Sequence, residues 1–203
     1  MTEVPTPEPY LRTYVAETKA CLEAPYLLDA LQKIVPLFLK ARAEDRTIFF
    51  CGNGGSASTA SHFVVDIAKG TRKSLAPGGP RTQRFRCVAL NDNVPSVMAW
   101  ANDADYSRIF SEQLRSLAEP GDLVVAISGS GNSPNVLEAV RAAKEMGLTT
   151  IGLSGIGGGK LKDLVDVSLV VPSPSMQHTE DVHLIVLHFL TAYLRDEQPP
   201  ALR

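Results

Sequence analysis

The sequence predicts an α/β protein, a parallel sheet covered by helices on both faces. Two observations predict it. Short apolar runs of strand length alternate with longer segments whose apolar residues recur at helical spacing. Two turns rich in glycine and serine, Cys51–Ser56 and Ser128–Ser133, each follow a buried-strand pattern directly. In such sheets ligands bind beyond the carboxyl ends of strands, where chain order reverses. The two turns therefore mark the expected site.

Taken in order, residues 1–7 read as a frayed lead-in. From Tyr10 to Leu39 the apolar residues fall at helical spacing, and Pro25 divides the run into two helices. Pro36 is expected to kink the second helix or end it early. After the charged turn Ala43–Arg46 the period changes. Thr47–Cys51 is a buried strand, Gly52–Ser56 stops it, and a helix is expected over Ala57–Lys69. Gly70–Arg84, with two prolines and two glycines at 77–80, reads as a flexible loop. Phe85–Leu90 is the second strand, followed by short helical patterns at Pro95–Trp100 and Tyr106–Leu117. Asp122–Ile127 is a fully buried strand. Ser128–Ser133 turns into a helix over Asn135–Met146, then come a strand at Thr149–Leu153, a loop at Gly155–Gly159 and a last strand at Val165–Val171. A long helix, Met176–Leu194, closes the pattern before a Pro-rich tail.

The 203 residues suffice for one well-buried core, and 44% hydrophobic with 21% charged residues is ordinary for a globular chain. A formal net charge of −2 with mixed signs supplies no basic stripe for nucleic acid. No apolar run reaches the length of a membrane span, and the acidic, Pro-rich start lacks the order of a signal peptide. Cys21, Cys51 and Cys87 are far apart and lie among apolar neighbours, as free thiols in a reducing compartment do. A cytoplasmic protein is expected, with no nucleic acid and no membrane partner.

The two turns suit a phosphate. Glycine lets the backbone approach a ligand closely, and serine hydroxyls with exposed N–H groups at a helix start donate to an anion. Ser128, Ser130 and Ser133 put three hydroxyls within six residues, and Ser56 opens the helix after the first turn. There is no GxxxxGK[ST] and neither turn holds GxGxxG, so nucleotide readings are weak. A monophosphate held by hydroxyls and backbone fits better than a triphosphate with magnesium.

At these residues the chain resembles a known family. Phe50–Ser56 with His62-Phe63 is similar to the first signature of bacterial phosphoheptose isomerases, which are SIS (sugar isomerase) domain proteins. Ile127–Val136 resembles their phosphate loop, and the likeness runs on through Leu153–Lys160 into the last helix. The resemblance implies a three-layer α-β-α sandwich with a five-stranded parallel sheet, preceded by N-terminal helices. It implies a helical pair at 1–45 serving oligomerisation, a phosphosugar-binding domain at 46–197 and a tail at 198–203. A homotetramer with active sites between subunits is expected.

Carbonyl migration in a sugar needs a base at carbon and a group that handles protons on oxygen. His62 and Asp66, four residues apart, share one helix face, and Glu180 and His188 can share a broad face of the last helix. The resemblance makes these four positions active-site residues that hold zinc in several members. The chain has Asp66 where the family usually has Glu, and Glu180 where it usually has Gln. Two histidines and two carboxylates suit zinc, with manganese a further possibility. Without a metal, Glu180 or Asp66 would be the base and His188 the acid. Asn53, Gly54, Ser56, Asp92, Ser128, Gly129, Ser130 and Ser133 are the expected substrate-binding residues.

The resemblance implies an aldose–ketose isomerase acting on sedoheptulose 7-phosphate in heptose biosynthesis. Two alternatives stand beside it: a non-catalytic phosphosugar-binding regulator of the type that associates with the replication initiator DnaA, and an isomerase of another phosphosugar.

Overall fold

The computed structural model describes residues 6–72 and 84–196. Most of the loop expected at Gly70–Arg84, most of the lead-in and the tail lie outside the described residues.

Two helices come first, α1 (Glu8–Glu23) and α2 (Pro25–Ala43), divided at Ala24–Pro25 as expected. Pro36 does not end α2, which runs seven residues further. Both Pro36 and Gln32, whose carbonyl the proline leaves without its helical donor, face water. Meanwhile Ile34, Phe38 and Ala41 bury the opposite side and hold the helix to the core.

Five strands follow, all parallel: β1 (Thr47–Gly52), β2 (Arg86–Ala89), β3 (Leu123–Ser128), β4 (Thr149–Ser154) and β5 (Val167–Val170), in the order β2-β1-β3-β4-β5. The central strands β1 and β3 are buried at every position. They read as continuous apolar runs because helices cover both faces of the sheet. Alternate residues feed two cores. Ile48, Phe50, Val125 and Ile127 pack with α2, α3 (Gly55–Val65) and α8 (Met176–Asp196). Phe49, Cys51, Val124 and Ala126 pack with α5 (Ser111–Leu117) and α6 (Pro134–Glu145). The remaining helices are α4 (Val94–Asp103) and the short α7 (Leu161–Leu164), which no periodicity announced.

Chain order reverses between β1 and β3, which pair in register from Ile48–Leu123 to Gly52–Ile127. Both glycine- and serine-rich turns leave the sheet at this crevice, where open α/β sheets bind ligands. Two local details differ from the sequence reading. The third helix begins at Gly55 rather than Ala57, and from Asp66 to Gly70 it widens into a π-helical turn. The pattern at Tyr106–Leu117 is broken into a 3-10 turn (Tyr106–Arg108) and α5.

Candidate active site

The first turn reverses sharply at Gly54, whose φ of 55° is a left-handed conformation that favours glycine. Gly54 carbonyl accepts from the N–H groups of Ala57 and Ser58, so α3 is capped by backbone, and Ser56 is its second residue, buried rather than at the very start. In the second turn Ser133 precedes α6 without capping it through its side chain. Its hydroxyl instead lies 3.0 Å from that of Ser128. Gly129 carbonyl accepts from Gly155 N–H at 2.9 Å, and a Cβ on Gly129 would collide with the Met176 side chain. Ser130 Oγ accepts from Asn132 N–H at 3.2 Å. The loop after β4 braces this turn from behind: Leu161 N–H donates to the Gly131 carbonyl and Lys160 N–H to Asn132 Oδ1.

Asn53 and Asn135 join the two turns by a reciprocal amide pair, each donating Nδ2 to the other's Oδ1 at 2.8 Å. Asn135 was not among the expected site residues; directly after Ser-Pro it reads as an ordinary first-turn helix residue. Asp92, beyond β2, accepts a short hydrogen bond from Ser61 Oγ and a second from Asn91 Nδ2 at 3.0 Å. That ties it to the solvent side of α3.

The chemical residues lie along the seam between α3 and α8. At its start the Glu180 carboxylate lies over Gly55: a Cβ built on that glycine would meet Glu180 Oε1 at 2.7 Å. Gly55, His62 and Asp66 stand at i, i+7 and i+11, hence on one face. At the far end, His62 Nε2 is 3.4 Å and His188 Nε2 3.8 Å from Asp66 Oδ2, with the two imidazole rings 5.2 Å apart edge to face. The ligand atoms of these three residues lie within 4.8 Å of one another. Glu180 is not gathered with them; it stands at the other end of the seam.

The other two histidines serve the fold. His183 is buried with Nε2 at 3.3 Å from the Ser154 carbonyl, and burial pushes its imidazole down to about 4. His178 is buried against the Tyr14 ring, 3.7 Å from the Glu17 carboxylate. Burial also pushes the Cys51 and Cys87 thiols up to about 12, which removes them as nucleophiles near neutral pH.

Comparison with known proteins bears on this arrangement. Residues 13–155 match the SIS domain profile. The phosphoheptose isomerase of Aliarcobacter butzleri is 36% identical over 169 residues, covering 83% of this chain and 86% of that one. That of Rhodospirillum rubrum is 39% identical over 149 residues, covering 73% and 76%. The solved phosphoheptose isomerase GmhA from Neisseria gonorrhoeae is 30% identical and superimposes with a TM-score of 0.82 over 94% of this chain and 100% of that one. The α-β-α layers and five-stranded parallel sheet of this chain are those expected from the sequence. The chain belongs to the phosphoheptose isomerase family of SIS-domain proteins.

Proposed function

We propose that this chain is an aldose–ketose isomerase that converts sedoheptulose 7-phosphate to D-glycero-D-manno-heptose 7-phosphate through an enediol. The observation that carries the reading is the separation of the two ends of the site. Phosphate-suited turns lie at one end of the α3–α8 seam, and the His62, Asp66 and His188 cluster lies at the other. Ser56 and His62 are about 9 Å apart along the helix axis. A seven-carbon chain anchored by its terminal phosphate spans such a distance and brings its reacting carbons to the cluster.

Ser56, Ser128, Ser130 and Ser133 hold the phosphate with the first N–H groups of α3 and the Asn135 N–H of α6, whose helix dipoles favour an anion. Gly54 and Gly129 let the ligand approach the backbone, and Asn53 and Asp92 contact the sugar. With no metal in the cluster, Asp66 takes the proton from C1 of the ketose while His188 delivers one to the C2 oxygen, giving the enediol. Return of a proton to C2 with loss of the C1 hydroxyl proton gives the aldose, so no atom is gained or lost. A second reading makes Glu180 the base, because its carboxylate stands outside the histidine cluster and stays free when that cluster is occupied.

The cluster's two imidazoles and one carboxylate suit zinc, with manganese as a harder alternative. Bound there, such an ion would polarise the sugar's carbonyl and hydroxyl oxygens. A non-catalytic regulator has no use for this set of residues.

On the same reading residues 1–45 assemble a homotetramer, which the exposed Tyr10, Leu11, Val15 and Leu28 on α1 and α2 support. Three free cysteines support a cytoplasmic setting. No helix among the described residues is long and apolar enough to cross a membrane.

The test is turnover of sedoheptulose 7-phosphate in deuterated water, with and without added zinc. Aldose formation with deuterium at C2 is expected. Absence of turnover under both conditions, with retained phosphosugar binding, would return the chain to the binding-only reading, or to another phosphosugar.

A further inference from the structure

We infer that Asn135 is a positioning residue that turns Asn53 into a donor-only contact for the substrate, with Tyr106 completing the arrangement. The chain of constraint starts at a backbone group whose role is not in question. Val136 N–H can only donate, and it points at Asn135 Oδ1 at 3.0 Å. That contact fixes which end of the Asn135 amide is oxygen. Asn135 is 1% exposed, so no water competes for it.

With Asn135 oriented, the partner amide follows. Asn135 Oδ1 accepts from Asn53 Nδ2, and Asn135 Nδ2 donates to Asn53 Oδ1, both at 2.8 Å. The Tyr106 hydroxyl donates to the same Asn53 Oδ1 at 3.2 Å. A carbonyl oxygen has two lone pairs, and both are now engaged. Asn53 keeps one N–H. Its side chain can meet the substrate only through that hydrogen, at an acceptor oxygen of a phosphate, a carbonyl or a sugar hydroxyl, and its Oδ1 cannot receive a bond from a sugar hydroxyl. Asn135 also pins the turn after β1 to the turn after β3, so the same pair sets the spacing of the two halves of the phosphate cradle. Tyr106 arrives from the 3-10 turn and is 55% exposed.

This inference rests on the phosphosugar reading, and its test separates the two. In the full chain, Asn135→Ala, Asn53→Ala, the double variant and Tyr106→Phe are compared for KM and kcat with sedoheptulose 7-phosphate. Calorimetric binding of that sugar phosphate and of inorganic phosphate, and Tm, complete the set. Asn135→Ala is expected to raise KM about tenfold with kcat within about twofold of wild type. The double variant is expected to be no worse than Asn53→Ala, because Asn135 acts through Asn53. Tyr106→Phe is expected to raise KM about threefold with an unchanged Tm. Equal weakening of inorganic phosphate assigns the Asn53 N–H to a phosphate oxygen; weakening of the sugar phosphate alone assigns it to an oxygen of the sugar. Additive losses, or unchanged KM and binding in Asn135→Ala, would overturn the inference. If that variant does not fold, an unchanged KM in Tyr106→Phe overturns it. If wild type binds the sugar phosphate without turning it over, the reaction is wrong and the binding constants still decide. If wild type binds neither ligand, both readings fall.

Discussion

The Glu180 carboxylate faces Gly55 so closely that a Cβ on the glycine would lie 2.7 Å from Oε1. An alanine at the first position of α3 would make the flexible Glu180 carboxylate swing aside. The carboxylate in turn sits where the helix N-terminus favours negative charge. It occupies the neighbourhood of the phosphate cradle, not of the histidines.

Glu180→Gln tests what that charge does. Removing a negative charge beside a bound phosphate relieves like-charge repulsion. The variant is expected to lower KM for the sugar phosphate several-fold and to leave kcat within about threefold of wild type. A fall in kcat of about a hundredfold or more would instead make Glu180 the base. Steady-state kinetics at saturating metal separates the two.

At the far end of the seam, Asp66→Asn and His188→Ala remove groups that move protons if the cluster is metal-free and hold the ion if it is not. Each is expected to lower kcat by about 10²- to 10⁴-fold. Both should also weaken zinc retention, measured by metal analysis after dialysis against a chelator, because each takes one member from a three-residue set. Full zinc retention in both would place the metal elsewhere.

Much of this site was legible in the sequence, for identifiable reasons. β1 and β3 are buried on both faces, so they write themselves as apolar runs, and the glycine turns that follow mark their carboxyl ends. His62 and Asp66 were legible because a helix places i and i+4 together. Their meeting with His188 depends on how α8 packs along α3, which spacing within one helix does not contain. The same packing put Glu180 against Gly55 instead of among the histidines. The π-helical turn at Asp66 left no trace either: Asp66–Gly70 has an ordinary helical composition, and the widened turn is a tertiary adjustment of the kind often found at functional sites. Asn135 stayed hidden because its partner, Asn53, is 82 residues away.

Two glycines with the same backbone sign predict different costs. Gly54 and Gly131 have φ of 55° and 64°. A Cβ on Gly54 would meet nothing within 4 Å, whereas one on Gly131 would collide with the Gly158 carbonyl. Gly54→Ala is therefore expected to cost only the backbone strain of its φ of 55° and ψ of −122°, about 1–3 kcal/mol. Gly131→Ala must also separate the phosphate turn from its brace, for a total of about 3–5 kcal/mol, with loss of phosphosugar binding. Urea denaturation of both variants checks the ranking, and equal losses would show that the brace yields freely.

The stability of the fold should itself carry the signature of a buried neutral imidazole. His183 is 1% exposed, its ordinary value of 6.5 falls to about 4 through burial, and the Ser154 carbonyl only partly offsets the shift. Between these values the unfolded chain binds a proton that the folded chain refuses. Stability from this group is complete above pH 6.5 and declines as pH falls toward 4; below that both states are protonated and the loss is complete. The shift corresponds to about 3 kcal/mol. Carboxylates titrate over part of the same window, so the informative quantity is a difference. His183→Gln is uncharged and can still donate to the Ser154 carbonyl. It is expected to fold less stably than wild type at pH 7 because of its poorer fit, yet to lose less stability between pH 6.5 and 4.5. Parallel stability–pH curves for the two proteins would mean that His183 is protonated in the folded state, with its Nε2–H retained on Ser154.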